Sequence, residues 1–369
     1  MSRSGAPIVL LHFLRWLRKN QPETILTLLS LKEGELKEEF EGEVDNFYLL
    51  SEFKKEELTF LKEVKKKFLK KIGRYSQKSH PKDVFLKKLA FQDFDLVYAN
   101  TIVSIPTAIN LKSINENLMV VAHIHELNSA IKILLPNLGE YLNDIDGFIS
   151  ASNLVKNNLV NKYQVPFERI KTIYEFSEVR LFPDFLKNKE YFIVGGAGKG
   201  GWRKGTDLFI HVAKYIKSYY PEYKIKFQWI GKNSVWEDVM FRNDLEKANL
   251  EEIVNFLGEI EIPDKKFADF DVFLMTSRED PFPLVCIETG MLGKPIIGFK
   301  GVTGTEEVLL NHKDNFVSYL NIEQMAKKIV YYYDNRNILK KDSKSFESIF
   351  SNYTPAKICP MLYKHLRQI

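Results

Sequence analysis

The chain has 369 residues, 45% of them apolar and 27% charged, with a formal net charge of +5. That length suits two domains and that apolar content fills their cores, which excludes a chain disordered throughout. The mild positive surplus fits anionic small ligands or an anionic membrane surface, and is weak ground for nucleic-acid binding. Cys286 and Cys359, the two cysteines, have no metal or redox spacing. Without a signal peptide, a reducing cytoplasm is the expected setting. No apolar stretch reaches the ~18 residues a membrane span needs.

Met1–Pro7 leads into an amphipathic helix over Ile8–Lys19, with Pro7 suited to a first helical turn. A Gly-containing turn such as Ser4-Gly5 usually follows a strand in an α/β fold, and no strand precedes this one. Thr24–Ser30 reads as a buried strand. Residues 54–78 hold ten Lys or Arg against three acids, interleaved with Phe60, Leu61, Val64, Phe68, Leu69 and Ile72. Spacings of three and four predict a basic amphipathic helix. Its functional reading is contact with an anionic membrane surface or acceptor; its plain reading is a solvated helix face.

Asp95–Ala99, Leu118–Ala122 and Gly147–Ala151 are predicted parallel-sheet strands, with a helix over Ser152–Lys162 and a closing strand at Ile170–Ile173. The second half repeats the alternation. Tyr191–Gly196 is a strand entering a Gly-rich turn. A helix over Asp207–Tyr220, a strand Lys226–Gly231, a helix near 235–249 and a strand Val254–Gly258 follow. Strand 271–275, helix 284–292, strand Pro295–Phe299 and helix Glu306–Leu310 complete the series. The domain boundary is expected near 180–190. The tail, 346–369, is expected to be partly helical and to pack back across the hinge.

Four segments carry candidate chemistry. Gly195–Asp207 holds Gly196 and five further glycines between strand and helix, with Arg203 and Lys204 placed to neutralise a diphosphate without a metal. It lacks the spacing of a P-loop or a clean dinucleotide fingerprint. His123-Ile-His125-Glu126 lies at a strand's carboxyl end, where ligands gather in open α/β sheets. An i,i+2 histidine pair on extended backbone points one way, but zinc-type spacing is missing, so His125 is read as a ligand contact and no metal is expected. Gly301–Glu307 follows a strand, and amides near Gly304 and Thr305 can wrap phosphate or sugar oxygens. Glu306 or Glu307 then caps a helix turn or touches a hydroxyl. In Thr276–Glu288 an apolar strand runs into Arg278, Glu279 and Asp280, and a helix starts after Pro281 or Pro283 with Glu288 inside it. Asp280 and Glu288 fit a glycosidase acid/base pair or, more economically, a nucleotide-sugar grip. Cys286, among Leu284, Val285 and Ile287, reads as core.

These pieces, in order, resemble a retaining glycosyltransferase of the GT-B fold, of the glycosyltransferase family 4 or "group 1" type with an acidic-x7-Glu motif. The resemblance rests on His125, Trp202–Asp207, Trp229–Gly231, Phe256–Gly258, Ser277–Glu288 and Gly304–Glu306. It implies two Rossmann-like domains facing across a cleft: an acceptor-binding domain over 1–187, a nucleotide-sugar-binding domain over 188–345, and a C-terminal helical segment, 346–369, crossing back. It further implies that Lys204 and Arg203 hold the donor diphosphate, that Glu288 binds the ribose, and that Asp280, or its neighbour Glu279, sits by the donor sugar. His125 would contact the sugar near the reacting carbon. Gly5 would approach phosphate or acceptor, with Gly196, Gly304, Thr305 and Glu306 completing the donor site. The donor would be a UDP- or GDP-linked sugar and the acceptor a glycan or lipid-linked saccharide, with no cofactor. Three positions depart from the family: the strand ahead of Ser4-Gly5, Asp280 where glutamate is usual, and Gly196-Ala197 where Gly-Arg is usual. Alternative readings are a nucleotide-sugar epimerase of the same fold and a non-catalytic binding protein on a degenerate transferase fold.

Overall fold

The computed structural model describes residues 1–53, 81–180 and 190–369. The basic segment at 54–78 and most of the expected domain boundary, 181–189, lie outside the described residues. The chain forms two compact units. One comprises Met1–Ala122, Gly139–Gly147 and Ile369; the other comprises His123–Leu138 and Phe148–Gln368.

The first unit opens with a helix, Gly5–Asn20, which buries Val9, Leu11, Phe13, Leu14 and Leu17 along one face. Strand β1 (Thr27–Ser30) pairs in parallel with β2 (Asn46–Leu49), Thr27 opposite Asn46, as a separate two-stranded sheet. The expected strand is therefore shorter, and its partner β2 carries no alternation strong enough to have announced it. The Pro81–Ala90 helix, also unanticipated, buries Leu86 and Leu89 in a cluster with Leu111 and Leu118. Strand β3 (Val97–Asn100) follows. Lys112 meets the Asp146 carboxylate at 2.6 Å, and that carboxylate also accepts the Val120 amide.

Strands β3, β4 (Val120–Ile124), β5 (Gly147–Ser150) and β6 (Ile170–Thr172) form a sheet in that order. Every residue of β4 and β5 is buried, as expected of strands covered on both faces. β4 runs past the predicted Ala122, which puts His123 inside the strand rather than after it.

The larger sheet lies wholly in the second unit. Its strands are β7 (Phe192–Ala197), β8 (Ile225–Ile230), β9 (Val254–Phe256), β10 (Val272–Met275), β11 (Ile296–Phe299) and β12 (Phe316–Val317). The order is β12-β11-β10-β7-β8-β9, all pairs parallel. From β7 the chain steps outward to β9, then returns to the other side of β7 as β10. Such a reversal opens a crevice at the carboxyl ends of the two central strands. The helix Thr206–Tyr219 follows β7 and the helix Leu284–Met291 follows β10. Where a helix over Glu306–Leu310 was expected, a four-residue helix, Thr305–Val308, gives way to a 3-10 turn, Leu310–Asn315.

The tail forms helices Arg336–Phe350 and Pro355–Leu366. Between them the Tyr353 carbonyl accepts the Ser177 amide at 3.1 Å, and the Tyr353 ring stands edge-on to Tyr174. The tail thus returns to the segment just after β6. The four-stranded and six-stranded sheets with flanking helices and a returning tail are the GT-B architecture expected from the sequence, and the β1–β2 pair is a third, separate sheet.

Candidate donor-binding site

The reversal point of the large sheet decides which loops meet. β7 ends at Ala197 and feeds the Gly-rich turn through Lys204; β10 ends at Met275 and feeds residues 276–280. Thr276 Oγ1 donates to the Lys204 carbonyl at 3.1 Å, and the Arg278 amide donates to the Arg203 carbonyl at 2.8 Å. The two loops are stitched along their backbones before any ligand enters. Arg278 also grips the Asp207 carboxylate with two parallel bonds, 2.9 and 2.7 Å, the bidentate geometry that only a guanidinium supplies.

At the centre of this junction lies Asp280. Lys204 Nζ donates to its Oδ2 at 2.6 Å, Ser277 Oγ to the same oxygen at 3.0 Å, and Arg203 to Oδ1 at 3.2 Å. Burial pushes the Asp280 carboxyl upward, yet Lys204 and Arg203 outweigh it and hold the group below the usual carboxylate range. Asp280 is therefore an ionised counter-charge for the two cations the sequence assigned to a diphosphate. It sets the position of Lys204, whose side chain is mostly buried.

Glu279, one residue away, goes elsewhere. Its carboxylate accepts the Ser129 amide at 3.1 Å and bonds the Ser129 hydroxyl. Ser129 lies in the first turn of the Asn128–Leu134 helix, so Glu279 caps that helix's N-terminus. Glu307 does the same for the Asn153–Tyr163 helix, accepting the Asn153 and Leu154 amides at 2.9 and 2.6 Å and the Tyr174 hydroxyl at 2.9 Å. The turn between them is tight. The Gly304 amide donates to the Pro281 carbonyl, Thr305's amide to Thr303 Oγ1, and Glu306 accepts the Gly301 amide. A Cβ on Gly304 would lie 2.3 Å from Ser152 Cβ. The amides expected to cradle a phosphate thus have partners within the chain.

Glu288, in the Leu284–Met291 helix, is partly buried and accepts the Ser177 hydroxyl at 2.8 Å. Burial pushes its carboxyl up to about 7, with Ser177 and Lys204 pulling down and Asp264 adding to the rise. Two residues before Ser177, Glu175 is buried and meets His125 Nδ1 at 2.5 Å. Burial disfavours an imidazolium at His125, but the Glu175 charge and hydrogen bond raise its pKa above the ordinary value. The His123 ring lies against His125, centroids 3.9 Å apart and planes tilted by 37°, the shared face expected of an i,i+2 pair. Burial first, then His125, keeps His123 neutral. Single ligand atoms of His123, His125 and Glu175 lie within 4.8 Å of one another.

Lys204, Arg203 and Asp280 are in direct contact, and Glu288 senses Lys204 electrostatically. His125 is held by Glu175, near the Ser177 that holds Glu288. Gly196 lies inside β7, where a Cβ would come within 2.5 Å of the Trp229 ring, so its small size serves core packing. Gly5 begins the first helix of the other unit. Cys286 is fully buried against Met275, as its apolar context predicts. Glu175 and Ser177 escaped sequence reasoning, because a lone acid or serine in a loop has no periodicity to mark it, and Ser277 stood inside the Ser277–Glu288 motif without a role of its own.

The fold defines the class: this is a GT-B protein. Anabaena HepE, solved in complex with UDP, superposes with a TM-score of 0.79 at 17% identity, covering 100% of this chain and 98% of that one. The family profile "Glycosyl transferases group 1" matches residues 178–347. The poly(ribitol-phosphate) alpha-N-acetylglucosaminyltransferase of Staphylococcus aureus is 27% identical over 222 residues, 59% of this chain and 43% of its own length. An uncharacterized glycosyltransferase of Haemophilus influenzae is 25% identical over 175 residues, 47% of each chain. The chain thus spans less than half the length of these curated relatives.

Proposed function

We propose that this protein is a retaining glycosyltransferase that moves a sugar from a nucleoside-diphosphate donor to a glycan or lipid-linked acceptor. The Lys204–Asp280–Arg203 cluster at the crevice of the large sheet carries the proposal. Breaking the bond between an anomeric carbon and a diphosphate leaves negative charge on the departing oxygens. Lys204 and Arg203, held in place by a buried carboxylate, offer preorganised positive charge for it without reorganisation at the moment of reaction. Glu288 accepts the ribose hydroxyls in exchange for the Ser177 hydroxyl it binds now. His125, oriented by Glu175, faces the donor sugar. The leaving phosphate takes the acceptor proton on the face it departs from, which retains anomeric configuration without a protein nucleophile. The UDP-bound state of Anabaena HepE and the transferase names of the sequence relatives support a nucleotide-sugar donor. The reading includes a cytoplasmic protein that meets the membrane face through residues 54–78.

Lys204→Ala and Glu288→Ala each lower transfer from a UDP- or GDP-sugar by at least about tenfold, the scale of one lost charged contact, while circular dichroism shows the fold intact. The anomeric configuration of the product, read by NMR, is that of the donor. Unchanged transfer in both variants, or an inverted product, overturns the assignment.

A further inference from the structure

A second recess is lined in part by Glu279, with every lining residue in the second unit. Its volume is about 510 Å³, within the range of small-ligand pockets. Lys204 and Asp280 do not line it; Glu279 does. The pocket therefore begins where the candidate donor site ends.

Its walls have a consistent chemistry. From the Asn153–Tyr163 helix, Asn157, Asn158 and Asn161 line it, Asn161 lying one turn on from both Asn157 (i,i+4) and Asn158 (i,i+3). The Asn158 amide nitrogen is buried and, among the described residues, has no hydrogen-bond partner, a costly state for a donor. Trp202 and Tyr319, both large rings more than half exposed, also line it. Amides with exposed aromatic faces suit a hydroxyl-rich chain, the amides taking hydroxyls and the rings taking C–H surface. Two lysines set the charge. Lys162 and Lys300 line the pocket at exposed positions, and among the described residues neither forms an ion pair with a carboxylate. Glu279, the acidic wall residue, is already satisfied by Ser129.

We propose that this pocket is the acceptor subsite and that it takes a hydroxyl-rich acceptor carrying negative charge, a phosphate- or carboxylate-bearing glycan or polyol chain. The assignment as acceptor rests on the transferase reading above; the ligand chemistry rests on the pocket itself. The donor's leaving group would be held at Lys204 and the incoming hydroxyl would arrive past Glu279.

The test uses the full chain and three probes of similar length: poly(glycerol phosphate), a hyaluronan hexasaccharide and neutral maltohexaose. Binding is measured by calorimetry at fixed ionic strength, with and without saturating UDP. At least one anionic probe is expected to bind tenfold or more tighter than maltohexaose, and the pair distinguishes phosphate from carboxylate recognition. Lys162→Glu with Lys300→Glu, both at exposed positions, removes that preference while UDP affinity stays within twofold. Asn158→Leu weakens all three probes. A preference that survives the double substitution lies elsewhere, for instance on the basic segment 54–78, and overturns the proposal, as does equal binding of the neutral probe. Loss of UDP binding by the parent protein would sink the transferase reading instead, and leaves the pocket's ligand preference to be judged on the probes alone.

Discussion

Asp280 and Glu279 are adjacent in sequence and opposite in task. Asp280 is buried among cations and ionised; Glu279 caps a helix and borders a second pocket. Alternation along an extended turn sends neighbouring side chains to opposite sides, so the one-residue choice of register decides which carboxylate faces which ligand. Glu288 differs from Asp280, since its bond is to the Ser177 hydroxyl and, among the described residues, no cation contacts it directly. Its folded-state pKa of about 7 exceeds its ordinary 4.5. Between those values the folded protein keeps a proton that the unfolded chain has released. Stability from this group is therefore present at low pH and is lost as pH rises through that window. Glu288→Gln, which stays neutral, is expected to flatten that fall, by a fraction of the roughly 1.4 kcal/mol per pH unit that one whole proton carries. Urea denaturation at pH 5 and pH 7.5 measures it. Identical slopes in parent and variant would show that Glu288 titrates normally.

Among the elements, β7 and β10 matter most, because their loops share one crevice. β7 gains its closeness to its neighbours from glycine. Gly195 lies under Phe270, and Gly196 under Trp229 and Phe209. A methyl group at Gly196 would overlap rings that pack edge-on to one another, Phe209 and Trp229 at 5.1 Å between centroids. Gly196→Ala is expected to cost about 1–3 kcal/mol, the usual range for an overpacked core, with UDP affinity kept in the fraction that folds. The opposite pattern, full stability with lost nucleotide affinity, would return Gly196 to the phosphate-binding role implied by the family resemblance. The helices Asn128–Leu134 and Asn153–Tyr163 lean on the same turns through Glu279 and Glu307, so capping and site geometry are coupled.

At the scale of the whole molecule the charge is unevenly placed. Residues 54–78 carry ten cations against three acids, a surplus larger than the +5 of the entire chain, so the remainder is slightly acidic. A neutral-to-acidic body with one strongly basic segment is suited to attachment at an anionic surface, where each Lys or Arg near the surface contributes about 1 kcal/mol. Replacing Lys65, Lys66, Lys67, Lys70 and Lys71 by Glu is expected to abolish co-sedimentation with vesicles containing phosphatidylserine and to leave transfer to a soluble acceptor intact. Equal sedimentation of parent and variant would leave this segment as a solvated surface.

Much of the fold was legible because it is local. The alternation of apolar runs with amphipathic stretches placed ten of the twelve strands among the described residues to within a few residues, and the glycines, Lys204 and the Asp280–Glu288 spacing located the crevice. What escaped were weak or very short elements, β2 and β12, whose pairing depends on neighbours rather than on their own pattern. The contacts of the site escaped for a related reason. Lys204 and Asp280 are 76 residues apart, and Ser177 and Glu288 are 111 apart. Residue types in sequence state which charges are available; the strand order β10-β7 states which of them meet. By itself the sequence determined an α/β chain with cations and carboxylates at strand ends. Only the tertiary structure decided that Asp280 neutralises the cations, that Glu279 and Glu307 cap helices and that Glu175 orients His125. Periodicity encodes burial along one element, whereas a charge finds its partner only when separate elements pack.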